Sequence, residues 1–320
     1  MEYIKLGNSD LHVSKICLGC LSFGDENVAG KPWLLDQNQT DEVVKRALEL
    51  GINFFDTANY YNEGTSEMYL GHSIKKLAKR EEVIIATKVY YNEGGLSREA
   101  IFREVDFSLK KLQMDYIDLL IIHRWDYNTP IEETMKALHD VIESGKVRYI
   151  GASAMFAYQF LKAQEVARQN GWHTFISMQN HYNLIYREDE RELIKLLEEE
   201  NVHMTPYSPL AAGRLSRLWD NGSVRFQTDQ FPKMQYEKNK EMDYVIVERV
   251  HELAEKYNVS MAQIALAWLF SKKMMASPVI GVTKMKHLEE ACESINVKLT
   301  DEDMEYLEEL YQPHTVSGAH

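Results

Sequence analysis

Short apolar runs, several ending in a polar side chain, recur along this chain. Between them lie stretches whose apolar residues fall every three to four positions. The runs occupy residues 15–18, 53–57, 83–88, 117–123, 147–152, 175–179, 202–207 and 278–281. They are rich in β-branched and aromatic residues, and several are apolar throughout rather than alternating, as strands buried on both faces should be. Between them, residues 41–50 repeat Val43, Val44, Ala47 and Leu48, and residues 97–112 repeat Ile101, Val105, Leu109 and Leu112. Residues 131–144 repeat Met135, Leu138, Val141 and Ile142, and residues 190–200 repeat Leu193, Ile194, Leu196 and Leu197. Each spacing predicts a helix with one buried face. Gly51 and Gly145 follow two of these helices as stop signals.

Eight such alternations predict a (β/α)8 TIM barrel, an α/β fold in one domain covering residues 1–320. A doubly wound sheet would want G-x-G-x-x-G after its first strand, and residues 17–24 do not supply it. Residues 3–6 and 11–14, joined through residues 7–10, predict a β-hairpin that plugs the barrel floor within residues 1–14. Residues 211–241 read as a long loop after the seventh strand, followed by extra helices at about residues 242–257 and 260–271.

Composition changes this picture little. The 320 residues are 45% hydrophobic and 27% charged, which is ordinary for a globular chain. A formal net charge of −13 argues against nucleic acid or an anionic membrane surface as main partner. No apolar run is long enough for a membrane span, and the first residues lack a signal-peptide profile, so a cytoplasmic protein is expected. Cys17 and Cys20 form a CxxC without the second pair that a structural zinc site wants, and they read as small apolar residues of the first strand. The histidines show no H-E-x-x-H spacing, and no metal is expected.

The chemistry lies at the strand ends. A parallel barrel gathers the C-terminal ends of its strands around one mouth, so Asp56, Tyr61, Lys88 and His123 should meet there. A phenol with a reference pKa of about 10 is a poor acid near neutrality, and a nearby ammonium lowers that value. Lys88 is placed to do this, with Asp56 as its counter-ion. His123 would orient a carbonyl oxygen, and Tyr61 would deliver or remove a proton. No nucleophile is evident, so the attacking species should come from a cofactor, and hydride is the natural candidate.

These residues carry a resemblance. The segment Gly51-Ile52-Asn53-Phe54-Phe55-Asp56-Thr57-Ala58-Asn59-Tyr60-Tyr61, with Ser66-Glu67 and Leu70-Gly71, resembles the aldo-keto reductase signature. Lys88 in Ala86-Thr87-Lys88 and His123 in Ile121-Ile122-His123-Arg124 match its remaining catalytic positions. Residues 123–126, 129–134, 145–153 and 181–188 are similar to the YajO-like branch of that family. The resemblance implies NADPH-dependent reduction of aldehydes or ketones, with NADH not excluded, on a small-molecule carbonyl substrate. It implies that Ser153 and Gln179 hold the nicotinamide carboxamide and that Tyr207 stacks on its ring. Ser208, Leu210, Gly213 and Arg214 would run along the pyrophosphate. Gly281, Thr283, Lys284, His287 and Glu290 would lie near the adenosine 2′-phosphate. His287 and Ala291 depart from the residues usual there, which weakens the preference for NADP over NAD. Tyr60 and Trp125 are candidate walls of the substrate pocket. Two other readings stand beside this one: a redox-sensing regulatory subunit, and a sugar or glycoside dehydrogenase working oxidatively. Substrate and oligomeric state are not legible.

Overall fold

The computed structural model describes residues 1–219 and 236–316. Strands β1 (Tyr3–Lys5) and β2 (His12–Ser14) form an antiparallel hairpin with Tyr3 opposite Ser14. Eight parallel strands follow: β3 (Cys17–Gly19), β4 (Phe54–Asp56), β5 (Ile84–Val89), β6 (Ile117–Ile122), β7 (Val147–Ser153), β8 (Ser177–Gln179), β9 (His203–Met204) and β10 (Val279–Gly281). They pair in chain order, and β10 returns to lie beside β3, with Val279 opposite Cys17. The last seam closes through backbone hydrogen bonds: Ala276 N–H to the Met204 carbonyl (2.9 Å) and Val279 N–H to the Pro206 carbonyl (2.9 Å). The sheet is therefore a (β/α)8 barrel, as the alternation predicts.

Helices pack around it: α1 (Glu26–Ala29), α2 (Gln37–Glu49), α3 (Thr65–Leu77), α4 (Arg98–Leu112), α5 (Ile131–Glu143), α6 (Ala157–Asn170) and α7 (Leu193–Glu199). Further helices span Lys240–Tyr257, Met261–Phe270, Met285–Glu293 and Asp301–Glu308. Helix α2 begins four residues before the expected start. Its first turn is polar and gives no apolar signal, but Asp36 and Gln39 form a reciprocal capping box that satisfies its free N–H groups. Helix α7 begins later than expected, because Glu188–Glu190 form a tight turn instead. The loop expected over residues 211–241 needs correction at both ends. Ala211–Gly213 form a 3-10 turn, and the following helix already begins at Lys240. Residues 220–235 of that loop lie outside the described residues.

Two apolar clusters hold the structure. The larger lies between sheet and helices and includes Leu18, Phe55, Ile85, Leu120 and Ile122. The smaller fills the barrel, where Cys17, Phe54, Ile84, Ala86, Leu119 and Ile121 pack with Leu6, Leu11 and Val13 from the hairpin. The hairpin thus lies against the inward side chains at the N-terminal ends of the strands. Burying a Leu or Phe side chain contributes about 1.5–3 kcal/mol, so this contact is a substantial stabilisation.

Candidate active site

Alternation along each strand sends every second side chain into the barrel. On β4, Phe54 points inward and so, two residues later, does Asp56; on β5, Ile84 and Ala86 are followed by Lys88. On β6, Leu119 and Ile121 are followed, one residue past the strand, by His123. On these three strands the inward column is apolar through the lower layers and becomes polar only at its last position. Gly151, the last inward position of β7 before Ser153, has no room for more: a Cβ there would lie 2.5 Å from Ser177 Oγ.

At this level the ion pair is closed from all sides. Lys88 Nζ lies 2.5 Å from Asp56 Oδ1, and it donates to the Thr57 carbonyl (2.8 Å) and to the Tyr61 hydroxyl (3.2 Å). Gln179 Nε2 donates to the other Asp56 oxygen (2.9 Å), so both carboxylate oxygens are held. Lys88 and Asp56 are almost completely buried. Burial pulls the lysine pKa down, but Asp56 and Tyr61 outweigh it, and the ammonium is held charged.

Tyr61 is carried by the chain after β4, and its turn is pinned. Asn62 and Glu63 have left-handed backbones, φ 53° and 57°. Asn62 Nδ2 donates to the carbonyls of Leu21 and Phe23, 2.8 Å each, which fixes the turn to the β3 loop. The phenol departs from expectation in one respect. Burial pushes its pKa up, to about 12; Lys88 pulls it down, but the Asp56 charge adds to the upward shift. The ammonium therefore moderates the shift without reversing it. His123 is pushed well below 6.5 by burial, then by Lys88 and Arg124, so it is a neutral imidazole. Its Nδ1 is buried without a hydrogen-bond partner among the described residues.

Aromatic rings surround the imidazole. His123 lies 5.7 Å from Tyr61, 6.0 Å from Tyr60 and 5.1 Å from Tyr91, all edge to face. Tyr60 and Tyr91 are also in contact, at 4.6 Å, and both are exposed toward solvent. Tyr91 was not legible as a site residue, although it follows β5 by only two positions. Arg124 lies 5.8 Å from the Tyr91 ring. Trp125 is half-buried and packs on the larger apolar cluster.

The residues expected near a dinucleotide fall into three groups. Ser153, at the end of β7, donates to the Gln179 carbonyl (2.6 Å), which ties two strand ends together. Tyr207 stacks on buried His181 at 5.3 Å, with 10° between the rings, and His181 in turn stacks on Tyr186 at 4.1 Å. His181 is the floor beneath Tyr207. The loop after β9 is strongly curled, with positive φ at Ser208 (53°), Ala211 (49°), Ala212 (55°) and Gly213 (91°). Asn183 Nδ2 donates to the Ser208 carbonyl at 2.9 Å, and Leu210 packs on the larger apolar cluster. Arg214 is buried, with its guanidinium 4.7 Å from the Tyr236 ring. The third group lies where β10 ends at Gly281 and runs through Thr283 and Lys284 into the helix Met285–Glu293. His287 is lowered by burial first and then by the cations Lys284, Arg217 and Lys286, against Glu290. Arg217, which the sequence did not single out, is near enough for its charge to act on His287, and its guanidinium lies 2.9 Å from where a Gly213 Cβ would be.

Residues 15–312 match the model of the aldo/keto reductase family. The chain belongs to the aldo/keto reductase family. It is 42% identical to a versiconal hemiacetal acetate reductase of Aspergillus parasiticus over 342 aligned positions, covering 99% of this chain and 98% of that protein. It is 41% identical to a putative aryl-alcohol dehydrogenase of Schizosaccharomyces pombe, covering 98% and 96%. A thermostable aldo-keto reductase crystallised with the inhibitor epalrestat superposes with a TM-score of 0.77 at 27% identity, covering 97% of this chain. This aldo-keto reductase is an NAD(P)H-dependent oxidoreductase acting on small-molecule carbonyl compounds. Among the described residues no helix is long and apolar enough to cross a membrane.

Proposed function

We propose that this aldo-keto reductase reduces aldehydes or ketones with NADPH, and that Tyr61 is the proton donor. One observation carries the reading: a single buried ammonium, Lys88, bridges the Asp56 carboxylate and the Tyr61 hydroxyl. A nicotinamide cofactor, when bound, supplies the hydride that reaches the carbonyl carbon. Every other part falls to the chain. The neutral His123 imidazole donates a hydrogen bond to the carbonyl oxygen and polarises it. As charge gathers on that oxygen, Tyr61 transfers its hydroxyl proton there, and the alcohol is complete. The phenolate left behind is stabilised by the Lys88 ammonium, whose charge Asp56 secures. A phenol pushed up to about 12 is protonated at ordinary pH and stands ready as a donor, which favours the reductive direction.

The residues present suit such a cofactor. Tyr207 is backed by His181, which makes a rigid ring for stacking. Arg217 and Lys284 place cationic groups near a neutral His287 where a 2′-phosphate would be recognised, and this supports NADPH over NADH. The rings of Tyr60, Tyr91 and His123 suit a flat aryl or conjugated carbonyl. The aryl-alcohol dehydrogenase name of one relative agrees with that preference. The motifs at residues 123–126, 129–134, 145–153 and 181–188 support a position near the YajO-like branch.

The test is Tyr61→Phe, assayed by NADPH oxidation against aldehydes, ketones, quinones and sugars, and repeated with NADH. Turnover should fall by about 10²–10⁴-fold while cofactor fluorescence quenching is retained. Retention of most activity would remove Tyr61 from the role of donor.

A further inference from the structure

Far from the mouth, three side chains converge on the outside of the barrel. His139 and Glu143 stand one turn apart on α5, on one face of the helix, and His173 comes from the segment joining α6 to β8. One donor atom from each lies within 4.8 Å of the others. His173 Nε2 is already 2.9 Å from Glu143 Oε1, and the two imidazoles face each other at 5.2 Å between centroids. His139 is backed by the Trp172 ring at 6.3 Å and 24°, and its Nδ1 is buried without a hydrogen-bond partner among the described residues. We infer that His139, Glu143 and His173 form a binding site for a divalent transition-metal ion such as Zn2+ or Ni2+.

The donor set selects the ion. Two imidazoles and one carboxylate suit zinc, nickel or cobalt, whereas magnesium and calcium want oxygen ligands throughout. Metal–ligand bonds of about 2.0–2.2 Å put tetrahedral donors roughly 3.4 Å apart. The His173–Glu143 pair is already inside that separation. The remaining closure falls to side chains free to turn, because Glu143 and His173 are both exposed. Neighbouring charge does not compete: Lys136 is held by Asp140 at 2.5 Å, and Arg98 holds the other Asp140 oxygen at 2.5 Å. Three protein ligands leave a coordination position to water.

Position says what the ion does. Glu143 is the last residue of α5, just before the chain enters β7, and His173 lies just before β8. Both are therefore at the N-terminal end of the barrel, opposite Lys88 and Tyr61. The ion clips α5 to the α6–β8 connection and stabilises the fold by binding the native state alone. From sequence spacing no metal was expected, because the third ligand is 30 positions from the second and no H-E-x-x-H is present.

The test uses the whole chain, freed of metal with a chelator and then titrated with Zn2+, Ni2+ or Co2+ alone. Expected are one saturable site by calorimetry, a rise in Tm, and Co2+ absorption bands of an imidazole-ligated ion. His173→Ala and His139→Gln should each weaken binding by about tenfold or more and remove the Tm rise, with Glu143→Gln intermediate. Far-UV circular dichroism and the metal-free Tm establish that each variant is folded; His173→Ala, at an exposed position, serves if His139→Gln is not. Undiminished binding in His173→Ala would overturn the proposal by placing the ion at other ligands. Absence of saturable binding up to about 100 μM Zn2+ would overturn it as well.

Discussion

The barrel buries a carboxylate–cation cluster at each end, and the two are built to opposite purposes. At the floor, Asp118 of β6 accepts from Arg80 (2.5 Å), Arg148 (3.3 Å) and the Ile85 N–H (2.9 Å). Arg148 continues to Asp10 of the hairpin turn, where Tyr149 also donates (2.8 Å). Both arginines reach solvent, so the charge of Asp118 is answered by cations that stay hydrated. At the mouth, Asp56 is answered by a lysine with no exposure at all. The floor network ends on backbone and on partly exposed arginines; the mouth network ends on a phenol beside an imidazole whose Nδ1 is unsatisfied among the described residues. A buried pair that terminates in incompletely satisfied polar groups is poor design for stability alone. The difference supports our proposal that the chemistry is done at the mouth.

Breaking the mouth should cost rate first. Lys88→Met removes the charge that stabilises a Tyr61 phenolate, and carbonyl reduction should fall by about 10²–10⁴-fold. It also strands Asp56 as an uncompensated buried charge, at about 3–5 kcal/mol of stability. Steady-state kinetics and urea denaturation of the same variant separate the two effects. A variant that lost stability but kept turnover would show that Lys88 serves only the fold.

Asp118→Ala is the matching cut at the floor. It leaves the buried Ile85 N–H without its acceptor, while Arg80 and Arg148 turn to solvent, so a loss of about 1–3 kcal/mol is expected. Turnover of the folded fraction should be unchanged. A fall in kcat with stability intact would dissolve the contrast between the two ends.

The comparison also explains what could be read from the chain. Barrel strands were legible because Phe54, Ile84, Ala86, Leu119 and Ile121 belong to short, nearly continuous apolar runs, and Asp56, Lys88 and His123 stand at the ends of those runs. Tyr91 and Arg217 were not, because each sits in a connection whose path sets its direction, and no periodicity reports a path. The start of α2 was hidden for a related reason: its capping box is polar, and an apolar count passes over it. The direction of the Tyr61 shift failed differently. A residue list shows that an ammonium is near, but not that the phenol is buried deeply enough for desolvation to prevail.

That shift gives the next test. With Tyr61 pushed up to about 12 and His123 held below its usual 6.5, neither group titrates between pH 7 and 10. The reductive kcat should be flat over that span and fall only as the pH approaches 12, where the donor proton is lost. The oxidative rate should rise toward the same limit. An inflection near pH 7–8 in kcat that vanishes in Tyr61→Phe would mean that Lys88 prevails over burial.

The smallest effect comes from a third carboxyl, Asp189, near the mouth after β8. It receives a long hydrogen bond from Asn180 (3.3 Å), and its Oδ2 is buried without a partner among the described residues. Unlike Asp56 and Asp118 it has no cation partner among the described residues, and burial, helped by the Glu188 charge, pushes its pKa up to about 7 against the Asn180 hydrogen bond. The sign follows from linkage. The folded state holds this proton more tightly than the unfolded chain, where a carboxyl titrates near 3.9. Its contribution is therefore fully present below about pH 4 and is lost as the pH rises through about 7. Asp189→Asn keeps an acceptor for Asn180 and removes the titration. It should raise Tm modestly at pH 8 and by progressively less toward pH 4, measured by thermal denaturation across that range. An equal shift at every pH would mean that packing, not the unanswered charge, governs this position, and the distinction between answered and unanswered carboxyls would rest on Asp56 and Asp118 alone.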